Sequence, residues 1–174
     1  MEILAVIDMQ KDFVDGALGT KEAEAIVPAV LDLVNSFSGD VIFTRDTHFE
    51  NYPETQEGKL LPVPHCIKGT PGWDLIPELN EWAEKHECPV FDKPAFGNIE
   101  LAGYLSGLYN EGKLEKVTLI GLCTDICVIS NALVIKAFMP ELPVSCIEKA
   151  CAGVTPEKHA AAIETMKSCQ ILVE

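Results

Sequence analysis

The segment Gly121-Leu122-Cys123-Thr124-Asp125-Ile126-Cys127-Val128 places a thiol where chemistry is accessible. It follows an apolar run, Val117 to Ile120, and precedes a helical pattern, Val128 to Phe138. Gly121 permits a sharp exit from a strand, and either Thr124 or Asp125 could cap the helix. Cys127 then falls in or near the first helical turn, where unpaired N–H groups and the helix dipole favour a thiolate and could hold an oxyanion. Taken alone, Cys127 reads more simply as a small apolar residue packing a helix on a sheet.

Two further residues share its location. Ile3 to Ile7 is a short apolar run ending in Asp8, and Pro89 to Asp92 is another, followed by Lys93. In an open parallel sheet the carboxyl ends of the strands share one edge, where such sheets bind ligands. Hydrolysis of an amide by a thiol needs a base to take the thiol proton and return it to the leaving amine. Asp8 is the candidate base. Lys93 is expected to lower the pKa of Cys127 and to hold Asp8. Asp46 and His48, two apart at the end of a strand ending in Arg45, point to one side. With His65 they make a mixed imidazole and carboxylate set with open positions, the pattern of a catalytic divalent metal; zinc, iron and manganese all suit it. Cys66 is a rival ligand, although neighbours in an extended segment point apart. His86 and His159 read as surface residues.

The elements that must carry these residues alternate. Strands are expected at 3–7, 40–45, 89–92, 117–120, 143–147 and 171–173. Helices are expected at 22–37, 73–84, 99–109, 128–138 and 156–169. A long loop rich in Pro, Gly and Glu spans 49–72 and carries Glu57, His65 and Cys66. The alternation predicts one domain over residues 1–174, of three layers (α/β/α) with a mainly parallel six-stranded sheet. Strand order is left open.

Composition sets limits. The chain has 174 residues and a net charge of −14, which argues against nucleic acid or an anionic membrane as partner. Arg45 is the sole arginine, so several arginines cannot clamp a phosphate. Seven scattered cysteines and an N-terminus that enters a strand without a basic leader lead us to expect reduced thiols in the cytoplasm. No apolar run is long enough to span a membrane.

These residues, in this order, resemble those of the isochorismatase-like cysteine hydrolases, and within them the nicotinamidases. The resemblance rests on Asp8-Met9-Gln10-x-Asp12-Phe13, Arg45-Asp46-Thr47-His48, His65-Cys66-Ile67-Lys68-Gly69-Thr70-Pro71-Gly72, Lys93, and Gly121-x-x-Thr124-Asp125-x-Cys127-Val128. It covers nearly the whole chain. It implies an Asp8–Lys93–Cys127 triad, an oxyanion hole from the N–H groups of Cys123 and Cys127, and a cis Leu122–Cys123 peptide. It implies one divalent metal on Asp46, His48 and His65, with Glu57 as a candidate fourth ligand. Phe13 would pack on the substrate ring, and Phe96 would form another wall. Pro62 stands where many nicotinamidases have tryptophan. The expected activity is hydrolysis of nicotinamide to nicotinate and ammonia in NAD salvage, by a cytoplasmic enzyme acting on a small amide; a homo-oligomer is allowed. The alternatives are a related hydrolase of another amide or ureido compound, an isochorismatase, or a non-catalytic metal-binding protein.

Overall fold

A computed structural model of the protein describes residues Met1–Glu174. Its centre is a six-stranded sheet: β1 (Glu2–Ile7), β2 (Asp40–Asp46), β3 (Val90–Lys93), β4 (Lys116–Leu122), β5 (Val144–Ala152) and β6 (Leu172–Val173). The spatial order is β3-β2-β1-β4-β5-β6 and every pairing is parallel. The runs Ile3–Ile7 and Val117–Ile120 are buried along their length, and their one polar side chain, Thr118, is buried with them. Strands covered on both faces read as continuous apolar runs for this reason.

The helices are α1 (Lys11–Val14), α2 (Lys21–Ser36), α3 (Gln56–Leu60), α4 (Pro77–Lys85), α5 (Ile99–Asn110), α6 (Ile129–Phe138) and α7 (Pro156–Ser168). From β1 the chain winds outward to β2 and β3. It then crosses to β4 beside β1 and winds the other way. Right-handed crossovers put α2 and α4 on one face and α5, α6 and α7 on the other. In keeping with this, α5 packs on α6 and α6 on α7, while α2 lies against β4 and β5. The reversal between β1 and β4 opens a crevice at the carboxyl edge, where Asp8 and the Cys123–Cys127 segment leave the sheet.

Several boundaries differ from expectation. Helix α4 begins at Pro77, not Trp73. Residues 73–76 are drawn out of helix because Leu75 bridges Gln10, the Ile76 N–H bonds the Met9 carbonyl and the Trp73 indole N–H donates to Thr47 Oγ1. Pro28 lies inside α2, which still starts at Lys21 with Thr20 Oγ1 accepting from the Ala23 N–H. The 49–72 loop contains a 3₁₀ turn, Tyr52–Glu54, and α3, capped by Thr55. Strand β5 runs on to Ala152: Leu119 pairs with Cys146 but Gly121 with Cys151, so a bulge carries the polar Glu148-Lys149 pair outward. That polar pair marks a strand end in the sequence and a bulge in the fold.

Candidate active site

Asp8, Lys93 and Cys127 meet at the carboxyl edge. Asp8 leaves β1 with φ +47°, a left-handed conformation costing a non-glycine residue about 1–3 kcal/mol, and its side chain is completely buried. Thr44, on neighbouring β2, holds it twice: Thr44 Oγ1 accepts from the Asp8 N–H and donates to Asp8 Oδ1 at 2.6 Å. Lys93, also fully buried, ends β3. Its Nζ lies 2.7 Å from Asp8 Oδ2, 3.2 Å from Asp46 Oδ1 and 3.3 Å from Cys127 Sγ, one neighbour for each of its three N–H bonds. Asp8 Oδ2 faces Lys93 Nζ, and a carboxylate oxygen has a second lone pair.

Burial governs the titration. It raises the Asp8 carboxyl above its ordinary value; Lys93 opposes this and Asp46 adds to it. A carboxylate so placed is a stronger base than one in water. Burial would lower Lys93, but Asp8, Cys127 and Asp46 outweigh it and keep the ammonium charged. Cys127 departs from expectation. Burial first, and Asp8 second, raise the thiol well above its ordinary value, and Lys93 offsets only part of this. These shifts favour the thiol form of Cys127, with the Asp8 carboxyl beside it.

The backbone around Cys127 also differs from the expected helix start. Thr124–Val128 forms a single π-helical turn ahead of α6, and neither Thr124 nor Asp125 caps it. Thr124 Oγ1 instead bonds His159 Nδ1, and Asp125 Oδ1 accepts from the Val154 N–H. His159 is thus partly buried against the Thr124–Val128 turn and is not a plain surface residue, unlike exposed His86. Gly121 has φ +114°, and a Cβ there would collide with the Ile7 carbonyl, so only glycine fits between β4 and β1. The Leu122–Cys123 peptide is cis. The Cys123 N–H donates to no group of the chain and is available to an oxyanion.

Next to the three residues stands a second group. The ligand atoms of Asp46, His48, Glu57 and His65 all lie within 4.8 Å of one another. His48 Nε2 is 2.9 Å from Asp46 Oδ2 and 3.7 Å from Glu57 Oε1, yet it is buried without an aligned hydrogen bond. His65 Nε2 is 3.6 Å from Asp46 Oδ2 and 3.7 Å from Glu57 Oε1. Its Nδ1 sits 2.8 Å from the Val63 carbonyl, which makes Nδ1 the protonated nitrogen and turns the Nε2 lone pair inward. Two carboxylates and two imidazole lone pairs converging in a buried site suit a divalent cation. Burial raises the Asp46 carboxyl, but the imidazoles and Lys93 together outweigh it and hold it low. Cys66 is buried with φ +46°, its N–H bonded to Asp12 Oδ2, and it stands outside the group.

Asp46 joins the two groups, and Gln10 holds Asp46. Gln10 Oε1 accepts from the Asp46 N–H at 2.7 Å, and Nε2 donates to the Asp46 carbonyl at 2.9 Å and the Trp73 carbonyl at 2.8 Å. A separate surface depression lies at the amino ends of β2 and β3, between Phe37, Trp82 and Tyr104, and contains none of these residues.

The isochorismatase domain model matches residues 2–174. The chain belongs to the isochorismatase family. Within that family it is 33% identical to PncA of Bacillus subtilis (strain 168), an uncharacterized isochorismatase family protein, over 92% of this chain and 91% of the relative. It is 27% identical to the nicotinamidase/pyrazinamidase of Mycobacterium tuberculosis over 98% of this chain and 97% of the relative. The crystal structure of pyrazinamidase of Pyrococcus horikoshii in complex with zinc superposes with a TM-score of 0.81 at 30% identity, covering 99% of this chain and 98% of that one.

In this member of the isochorismatase family aromatic side chains stand beside the donor group. Phe13 lies with its ring 5.4 Å from that of His65. Pro62 supplies no aromatic wall. Tyr52 lies beside the group instead, its ring 4.7 Å from His48 and 5.1 Å from His65, and its hydroxyl donates to the Leu61 carbonyl. Burial, then Glu57 and Asp46, push that phenol up to about 12. Phe96 is half-exposed and is tied in by its carbonyl, which accepts from Asn131 Nδ2. Thr44, Tyr52 and Asn131 escaped the sequence reading. Thr44 carried one faint signal, a hydroxyl directly following the apolar Val41-Ile42-Phe43 run.

Proposed function

We propose that the protein is a metal-dependent nicotinamidase acting through a cysteine thioester. The observation that carries this is Lys93 Nζ, which lies within 3.3 Å of Asp8, Asp46 and Cys127 at once and so abuts both a buried nucleophile–base pair and a four-residue donor group. Relatives named nicotinamidase, matched over 98% and 76% of this chain, support the substrate class.

Asp8 takes the proton of Cys127, and the thiolate attacks the carboxamide carbon. Lys93 steadies both charges. The Cys123 and Cys127 N–H groups hold the tetrahedral oxyanion. Asp8 returns its proton to the nitrogen, ammonia leaves, and a thioester to Cys127 remains. Asp8 then activates water, which releases nicotinate and restores the thiol. Asp46, His48 and His65, with Glu57 as fourth ligand, would hold a divalent ion that supplies a Lewis-acid position for the pyridine nitrogen. Zinc fits this set, and it is the metal in the Pyrococcus horikoshii pyrazinamidase. Phe13 and Phe96 flank the substrate ring. The chain works as one domain, since a single sheet draws strands from residue 2 to residue 173. No helix is long and apolar enough to cross a membrane, and a cytoplasmic place in NAD salvage accords with the seven free thiols.

A screen for ammonia release tests the proposal, with nicotinamide, pyrazinamide, benzamide and aliphatic amides, each with and without chelator. Nicotinamide turnover that a chelator abolishes is the expected result. Pro62 favours one rival, a hydrolase of another small amide; chelator-insensitive turnover of aliphatic amides alone would replace the first reading with it.

A further inference from the structure

Strand β3 reaches β4 only through β2 and β1, so no ladder ties Lys93 directly to the Cys127 segment. Their separation is set across the top of the sheet. Asn131, the third residue of α6, is fully buried there. Its Nδ2 donates to the Cys127 carbonyl at 2.8 Å and to the Phe96 carbonyl at 3.1 Å, and its Oδ1 accepts from the Asn98 N–H at 2.9 Å. Asn98 in turn caps α5, its Oδ1 accepting from the Leu101 N–H. One amide therefore grips the main chain of the bend after Lys93 and the main chain of Cys127 itself.

A second feature presses the same surfaces together. Gly97 lies so close to α6 that a Cβ would stand 2.9 Å from Val134 Cγ2 and 3.4 Å from the Ser130 carbonyl. We infer that Asn131 is a positioning residue for the hydrolysis: it locks the Phe96–Asn98 bend onto the nucleophile turn and so sets Lys93 and Phe96 relative to Cys127. The inference rests on the reading of Cys127 as nucleophile. The site needs a neutral group with both donors and an acceptor, because two carbonyls and one N–H face it. Leucine offers neither, and an ionised aspartate turns a lone pair toward the carbonyls.

The test compares nicotinamide hydrolysis by the metal-loaded wild type and variants. Asn131→Leu is expected to lower kcat by about 10- to 100-fold, with KM within about threefold and metal content unchanged. Asn131→Asp should be as poor at neutral pH and should recover, as a fraction of the wild-type rate at the same pH, as the pH falls, because a protonated carboxyl can donate again; Asn131→Leu should show no such recovery. Gly97→Ala should also lower kcat, and Val134→Ala in the same chain should restore it. This pair carries the test if Asn131→Leu does not fold. A folded Asn131→Leu with wild-type kcat, or a Gly97→Ala enzyme as fast as wild type, overturns the inference. If the wild type releases no ammonia from any amide, the proposed function fails separately. The clamp is then read from hydrogen exchange at the Asn98 N–H, which should quicken about tenfold in Asn131→Leu; unchanged protection overturns it.

Discussion

At the scale of single residues the chemistry turns on one proton. Burial and Asp8 favour the protonated form of Cys127, so in the proposed mechanism the Asp8 carboxylate is the acceptor. Asp8→Asn removes that acceptor while keeping the shape, and Cys127→Ala removes the nucleophile. Each is expected to lower kcat by about three orders of magnitude or more with the fold retained by circular dichroism. Cys123→Ala should retain most activity, since only its N–H is used. A dead Cys123→Ala beside an active Cys127→Ala would mean the other thiol is the nucleophile. The acid limb of kcat/KM has a definite sign: activity is present above the Asp8 pKa and lost as pH falls through it. Burial raises that pKa, so the limb should lie above the ordinary aspartate value of 3.8. A rate still at its plateau below that value would show that Asp8 is not the base.

Lys93 adds a structural consequence at the same scale. It is the only cation between the Asp8 and Asp46 carboxylates in a buried site. Lys93→Met should cost about 3–5 kcal/mol of stability, because removing one partner leaves buried charge uncompensated. It should also slow alkylation of Cys127, measured at that peptide, since the cation that favours the thiolate is gone. Unchanged alkylation would place Lys93 out of range of the sulfur.

At the scale of elements, each site residue is carried by a strand end or by a short element. Three strand ends supply Asp8, Asp46 and Lys93. Glu57 depends on α3, a five-residue helix too short to be stable alone and held by its Thr55 cap. Thr55→Ala should cost about 1 kcal/mol locally. It should weaken metal binding without touching the other three donors, whereas Glu57→Gln should weaken it directly. Titration of both apoproteins with zinc, followed by metal retention after desalting, separates these from wild type. Wild-type retention in Glu57→Gln would take Glu57 out of the ligand set.

At the scale of the whole molecule, a metal bound to the folded state stabilises that state. At a free concentration about a hundredfold above its Kd the gain is about 2.7 kcal/mol, or roughly 5–10 °C in Tm for a chain of this size. A chelator should therefore lower the Tm of the wild type and leave that of His65→Ala unmoved. The same variant separates the two amide readings. Nicotinamide should be hydrolysed far better than benzamide, which lacks the ring nitrogen, and the gap should shrink in His65→Ala. A metal-free wild type that treats the two amides alike would shift the assignment to another small amide.

The sequence by itself determined the alternation of strands and helices, because two-sided burial writes itself as Ile3–Ile7 and Val117–Ile120 whatever the strand order. It also carried the residue types at the carboxyl ends: Asp8 directly follows an apolar run, Lys93 follows the short run from Pro89 to Asp92, Cys127 lies in the turn that leaves the Val117–Ile120 run, and Asp46 and His48 sit at and just beyond the end of β2. What crosses between strands was not legible there. The order β3-β2-β1-β4-β5-β6, the entry of Glu57 through α3 and the withdrawal of residues 73–76 from α4 depend on contacts between segments far apart in sequence. The protonation of Cys127 was decided in the same way. A helix start and a lysine argue locally for a thiolate, but burial beside Asp8 exists only in the assembled fold, and there desolvation and Asp8 outweigh Lys93.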